Sequence, residues 1–386
     1  MNNDLDNNTV MPETQDAPNI QPTPAATVPQ PAPVKSSGRK RSKKRQRKSV
    51  LIPILAVIAI LSIACNIFLV VRYKIRIQML DGKPTILSEN QYNVIKREAR
   101  EQVEDEVTAE VKSDVLELVK KRLTAGDSAT YLFRVYYPDH IVYMDEGIYK
   151  FVPVNSSLKK NVLTQANFKT NDNGEISYSD GNITSVKGID VSKYQGNIDF
   201  AKVKASGVDY VMVRCAYRGY SDGKIVKDTN FDTNATNATA NGLDMGVYFF
   251  SQATTKDEAV EEANYVLDSI KGYDVTYPIA IDVEDIANAD GRQEKLSAKE
   301  LTDVIIAFCD TIKSAGYTPM IYSNIRYFAG MVEYERLEDY DKWFASYSTQ
   351  LYFPYEISMW QYTNTGSVDG IKGDVDINIS FKKYSR

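Results

Sequence analysis

The sequence predicts an α/β protein: an irregular (β/α)8-type barrel over residues 188–386, preceded by a small β-rich domain, a helical stalk and one transmembrane helix. Three observations carry this expectation. From Gly188 onward, short apolar segments rich in β-branched residues alternate with amphipathic helical ones, and eight such strands can be placed before the end of the chain. From Ile95 to Leu123 an apolar residue recurs at every fourth position. From Val50 to Val71 a run of 22 residues is apolar apart from Ser62 and Asn66, with Pro53 near its start.

Residues 1–49 are rich in Asn, Gln, Pro, Thr and Ala, show no apolar periodicity, and read as a disordered tail. Eight of the ten residues from Arg39 to Lys48 are basic. Residues 50–71 span ~33 Å as a helix, enough for a bilayer core. The basic cluster before them predicts a cytoplasmic N-terminus and an extracellular C-terminal part, a single-pass protein of the cell membrane. A cleaved signal peptide would have a shorter apolar region nearer residue 1 and small residues at a cleavage site, which this segment does not offer.

Residues 72–125 form the stalk. Ser88 with Gln91 makes a capping box, and Gly126 ends the helix. The stripe Ile95, Ala99, Val103, Val107, Val111, Val115, Val119, Leu123 drifts ~40° per step, so it winds around the rod instead of forming a 3.5-residue coiled-coil seam. It reads as a spacer, a dimerisation stalk, or a helix packed on the next domain. Residues 126–187 read as a β-rich spacer with short runs at Tyr131–Tyr137, Ile141–Tyr143, Gly147–Val154 and Glu175–Tyr178.

In the last segment the expected strands are Gly188–Val191, Tyr210–Ala216, Gly246–Ser251, Pro278–Val283, Thr318–Ser323, Lys342–Ala345, Ile357–Tyr362 and Val375–Ile379. Helices are expected at Phe200–Ala205, Phe231–Asn241, Lys256–Ile270 and Ala298–Ala315; later connections are short.

Composition narrows the chemistry. The net charge of −5 divides unevenly: residues 1–49 hold nine Lys/Arg against four Asp/Glu, a net of +5, which leaves −10 for the rest. A folded part this acidic is not built to bind nucleic acid. A single histidine, His140, excludes most zinc chemistry and every His-dependent triad, so no metal or cofactor is expected. Cys215 and Cys309 are either a disulfide pair or two small buried hydrophobes, and Cys65 falls in the apolar run.

Barrels of this kind place chemistry at the C-terminal ends of their strands. The polar and aromatic residues there are Asp190, Arg214, Tyr248, Asp282, Glu284, Tyr322, Trp343, Gln361 and Asp376. Asp282 and Glu284, two apart, face the same way at the end of the apolar run Pro278-Ile-Ala-Ile281. Desolvation and the neighbouring like charge raise the pKa of such a carboxyl and suit it to act as a general acid. Two carboxyls with divided roles are what glycosidic cleavage needs, and Tyr and Trp suit a sugar ring.

At these residues the sequence resembles the family 25 glycoside hydrolases, the Chalaropsis-type muramidases. The resemblance covers residues 188–383 and rests on Gly188-Ile-Asp-Val-Ser-Lys-Tyr-Gln-Gly196, Tyr277-Pro-Ile-Ala-Ile-Asp-Val-Glu284, Trp343-Phe-Ala-Ser-Tyr347, Met359-Trp-Gln-Tyr-Thr363 and Val375-Asp-Ile-Asn378, in that order. It implies an irregular barrel acting on peptidoglycan, at the β-1,4 bond between N-acetylmuramic acid and N-acetylglucosamine. It further implies Glu284 as proton donor, with Asp282 stabilising the intermediate or positioning the substrate N-acetyl group. Asp190 and Asp376 would support the site, and Tyr248, Arg214, Tyr322, Trp343, Trp360 and Gln361 would bind substrate. Both an inverting route and assistance by the N-acetyl group are compatible with it. The family's Tyr-His-Phe after the third strand is here Tyr248-Phe249-Phe250, which predicts a lost ring hydrogen bond in the site.

Two other readings compete. One is a wall-binding or scaffold protein that keeps the fold with weak catalysis, which the intact acidic residues oppose. The other is a glycosidase of chitin-like polymers, but Ala280 and Tyr277 stand where that motif needs Asp.

Overall fold

The computed structural model describes residues 62–74, 88–286 and 289–384. They fall into two compact units, divided between Leu132 and Phe133. The expected membrane span lies largely outside the described residues. Of it, residues 62–71 belong to a helical stretch, 62–74. No helix among the described residues is long and apolar enough to cross a membrane.

The N-terminal unit contains the stalk as one uninterrupted helix, α1 (Glu89–Thr124). Ser88 caps it as expected: its Oγ accepts from the Gln91 amide, while Gln91 Oε1 accepts from the Ser88 amide at 3.0 Å. At the other end Gly126 takes φ 95°, which costs glycine little. The Gly126 amide donates to Leu123 O and the Asp127 amide to Arg122 O, the double closure of a Schellman end. No residue of α1 is buried.

A departure from expectation falls across the division at Leu132 and Phe133. The aromatic run read as a strand at Tyr131–Tyr137 is instead mostly helical, α2 (Ala129–Tyr136). Packing decides against strand propensity here. On a helix Phe133 and Tyr137 share one face, and they meet Phe151 edge-on at 5.5 and 4.9 Å. The hairpin that carries Phe151 pairs β1 (His140–Asp145) with β2 (Ile148–Pro153) through a two-residue turn, Glu146 and Gly147, both at positive φ. A second small hairpin, β3 (Phe168–Thr170) and β4 (Ile176–Tyr178), lies against the barrel wall. Phe168 meets Trp360 and Phe381 edge-on at 5.6 and 6.1 Å, and Tyr178 is 1 % exposed.

The barrel contains all eight expected strands: β5 (Val186–Val191), β6 (Tyr210–Arg218), β8 (Asp244–Phe250), β9 (Ile279–Asp282), β10 (Pro319–Asn324), β11 (Asp341–Ala345), β12 (Met359–Gly366) and β13 (Val375–Ser380). A short strand, β7 (Ile225–Lys227), pairs outside β6. The order β5-β13-β12-β11-β10-β9-β8-β6 closes through β5–β6. The irregularity has a specific form. β13 runs antiparallel to both neighbours, because residues 367–374 are too short a connection for a parallel crossover. The four expected helices are present as α3 (Phe200–Ala205), α4 (Phe231–Ala240), α5 (Lys256–Ser269) and α6 (Ala298–Ser314). α6 shows why they form: Ser297 and Glu300 make a capping box, and Leu301, Val304, Ile305, Phe308, Cys309 and Ile312 bury one face.

Two apolar layers result. The larger fills the space between strands and helices and contains both Cys215 and Cys309, which are free thiols buried as small hydrophobes. The smaller plugs the barrel itself with Tyr210, Met212, Tyr248, Tyr277, Met320, Tyr322, Trp343 and Met359. Tyr210 stacks on Tyr277 at 4.3 Å. The plug needs two glycines: a Cβ at Gly188 would overlap the Tyr210 ring, and one at Gly246 would overlap Met212 Sδ.

Candidate active site

Above the aromatic plug, alternation along the strands brings the polar side chains together. On β9, Ala280 faces the plug, Asp282 is two residues on, and Glu284 follows just beyond the strand. Asp282 pairs in register with Tyr322, Tyr322 with Trp343, and Ala345 with Gln361. Gln361 then pairs with Asn378, and Asp376 with Asp190. The reversal of β13 is what makes this ring complete. Asp376 is the second residue of its strand and would lie at the opposite mouth if β13 were parallel.

Asp190 is the anchor of the polar layer. Its Oδ2 accepts from Gln361 Nε2 at 2.9 Å and from Asn378 Nδ2 at 2.8 Å. Both amides are fixed in turn. Tyr322 and Tyr347 hydroxyls donate to Gln361 Oε1 at 2.9 and 3.1 Å, and Trp343 Nε1 donates to Asn378 Oδ1 at 2.7 Å. Arg214 supplies the nearby positive charge, and its Nε and second nitrogen hold Asp228 Oδ2 at 2.9 and 2.7 Å.

Against this scaffold Asp282 Oδ1 and Asp376 Oδ1 are buried without a hydrogen-bond partner among the described residues. The Glu284 carboxyl, like Asp376 only half-buried by its surface, makes no hydrogen bond or ion pair among them either. Burial pushes the Glu284 pKa well up, and the charges of Asp282 and Asp285 push it further. Asp282 is raised by burial and by Asp190, against the pull of Arg214. Asp376 is raised by burial, Asp190 and Glu284. Burial brings Asp190 up to about 6, moderated by its two amide partners and Arg214. The four carboxyls repel one another and Arg214 offsets this only at Asp190 and Asp282, so the group keeps protons above the ordinary carboxylate range and its members titrate together. That is an arrangement able to give and take a proton in a partly desolvated site.

The eight expected site residues Asp190, Arg214, Tyr248, Asp282, Glu284, Tyr322, Gln361 and Asp376 thus converge, but the two tryptophans differ from expectation. Trp360 points out of the barrel; its ring packs on Phe168 and its Nε1 donates to Ser346 O at 2.9 Å, so it cannot reach a ligand in the mouth. Trp343 is 1 % exposed and lies one layer below the mouth, edge-on to Tyr322 at 4.7 Å and Tyr248 at 6.0 Å. Its part is to floor the site and hold Asn378. Phe249 is also turned outward, into the apolar layer behind the strands, so the replaced histidine position does not face the carboxyls. Sequence reasoning passed over Asn378 and Tyr347 as site residues although both lie in the quoted motifs. It also passed over Asp228, whose only signal was that a buried arginine needs a carboxylate, and Tyr194, whose exposed ring lies 5.2 Å from the Arg214 guanidinium carbon.

The family Glycosyl hydrolases family 25 matches residues 189–371. The chain is 30% identical over 202 residues to the uncharacterized protein YegX of Escherichia coli, covering 50% of this chain and 69% of that one. The chain belongs to glycosyl hydrolases family 25. Within this family of glycoside hydrolases, the autolytic lysozyme of Clostridium acetobutylicum is 25% identical over 194 residues, 50% of this chain and 55% of its own. Among solved structures, the modular autolysin LytC of Streptococcus pneumoniae aligns with 23% identity and a TM-score of 0.48, over 62% of this chain and 57% of that one. The chain therefore spans little more than half the length of these last two relatives.

Proposed function

We propose that this family 25 member is a muramidase: it hydrolyses the β-1,4 bond between N-acetylmuramic acid and N-acetylglucosamine in peptidoglycan from the outer face of the cell membrane. The observation that carries the reading is the ring of four desolvated carboxyls at one mouth of the barrel, among them Glu284 with its pKa well raised. The kinship with a protein named an autolytic lysozyme supports the substrate class.

In this reading Glu284 enters the reaction protonated and gives its proton to the leaving glycosidic oxygen. Asp282, beside it and lacking a hydrogen-bond partner for Oδ1, carries the negative charge that a cationic sugar ring or a polarised N-acetyl group requires. Asp190 and Asp376 set the field in which those two divide their protons. Gln361, Tyr322 and Arg214 hold the carboxyl layer in place, while Tyr248 closes its floor. Tyr194 and Tyr347 are the aromatic residues best exposed to a sugar. The apolar span 50–71 and the basic cluster before it support tethering to the membrane, and α1 serves as the spacer beyond it, a candidate dimer contact through its winding apolar stripe.

The direct test is Glu284→Gln. Release of muropeptides from purified cell walls should fall by roughly 10²–10⁴, the usual worth of a positioned general acid. An unchanged rate would remove Glu284 from the role.

A further inference from the structure

The β1–β2 hairpin does more than fill space at the barrel mouth. Its turn, Glu146-Gly147 at positive φ, is the tight two-residue kind that fixes the register of the strands it joins. Asp145, the last residue of β1, is thereby held at a defined place. Asp145 Oδ1 accepts from Arg326 Nε at 2.6 Å, and one terminal nitrogen of Arg326 donates to Asp285 Oδ1, also at 2.6 Å. The Tyr327 hydroxyl adds a second donor to that carboxylate at 3.1 Å. Asp285 directly follows Glu284. A second contact lies alongside: a Cβ on Gly330 would overlap the Tyr143 hydroxyl, so only glycine lets β1 and the segment after β10 approach this closely. The side chains of Asp145, Arg326 and Asp285 are each a quarter to a third exposed, so this is a partly desolvated bridge and not a loose surface pair.

We propose that this hairpin is a positioning part of the active site: Asp145 holds Arg326, Arg326 holds Asp285, and the acid-bearing segment is thereby fixed and its neighbouring charge neutralised. The proposal rests on Glu284 being the acid. A planar guanidinium suits the bridge because it can meet two carboxylates in different directions at once, which an ammonium does less well. The charged and titratable groups facing Glu284 are Asp282, Asp285, Asp190, Asp376, Tyr322 and Tyr347. Those facing the bridge itself are Tyr143, Tyr327 and Glu294, the last through Tyr327. Of the groups at the bridge, Arg326 is the cation, so its loss leaves Asp285 to oppose ionisation of Glu284 unchecked.

The test uses the full chain, purified in detergent, with Asp145→Asn, Arg326→Met and Arg326→Lys. Two things are read: muropeptide release against pH, and backbone hydrogen–deuterium exchange of residues 282–286. Arg326→Met should move the basic limb of kcat up by roughly half a pH unit, since an added unbalanced negative charge holds the acid's proton longer. Arg326→Lys keeps the charge and should leave that limb in place while kcat falls. Asp145→Asn should lower kcat roughly threefold to tenfold with KM little changed and no upward shift of the limb. In Asp145→Asn and Arg326→Met, exchange across 282–286 should quicken. Unchanged exchange in both variants overturns the proposal, as does a basic limb that Arg326→Met and Arg326→Lys leave alike. Quickened exchange in both variants, alongside a wild-type chain that releases no muropeptides, would uphold the bridge and refute the muramidase reading instead.

Discussion

At the scale of single residues, the carboxyl cluster makes this protein less stable where it is functional. In an unfolded chain Asp and Glu ionise near pH ~4. In the folded chain Glu284, Asp282 and Asp376 ionise well above that, chiefly through burial. Between those limits the folded state holds more protons than the unfolded one, so stability falls as pH rises. Glu262, which burial pushes up to about 7 beside Arg218, adds to the same slope. Lys342, brought down to about 8 by burial, acts above this window, and Asp303, held low by Lys299 and Arg336, acts below it. We therefore expect the melting temperature to fall between pH 5 and pH 8, and Asp282→Asn to flatten that fall, gaining about 1 kcal/mol at pH 8 while losing activity. Thermal scans of both proteins at the two pH values check this. A variant as pH-sensitive as the wild type would mean that Asp282 is not one of the groups holding a proton.

At the scale of elements, the barrel depends on which side chains its strands can omit. Gly188 and Gly246 give their space to Tyr210 and Met212. Gly188→Ala or Gly246→Ala should destabilise the fold by about 1–3 kcal/mol, read as a lowered denaturation midpoint with an unchanged slope. Much of this level was legible in the sequence, because the strands lie between turn residues and the two longest helices of the barrel, α5 and α6, each carry a cap and an apolar face. α6, for example, announces itself through Ser297, Glu300 and its buried stripe. Two features were not. The Tyr131–Tyr137 run has strand propensity, and only its packing on Phe151 makes a helix the better choice. The direction of β13 is set by the short stretch 367–374, a signal that was present but carries weight only when crossover length is considered. The carboxyls were readable as strand-end residues, whereas the amide layer of Gln361 and Asn378 and the Asp145–Arg326–Asp285 bridge depend on neighbours far apart in sequence, which no local pattern reveals.

At the scale of the whole molecule, residues 133–187 and the barrel share one compact unit. Tyr178, Ile176 and Leu158 are buried there, and Phe168 and Tyr178 pack on Trp360 and Phe381. A fragment beginning at residue 133 should therefore unfold in one cooperative step. One beginning at 188 should be several kcal/mol less stable, having uncovered those aromatic rings, at ~25 cal/mol for each Å2 of apolar surface exposed. Comparative denaturation of the two fragments tests this; equal stability would make the preceding lobe a mere passenger. The central claim, though, concerns which bond is cut. It is tested most directly by digesting purified peptidoglycan with the wild-type chain and identifying the sugar at the new reducing ends. The account predicts N-acetylmuramic acid, absent from a Glu284→Gln digest; reducing-end N-acetylglucosamine, or no new ends at all, would contradict it.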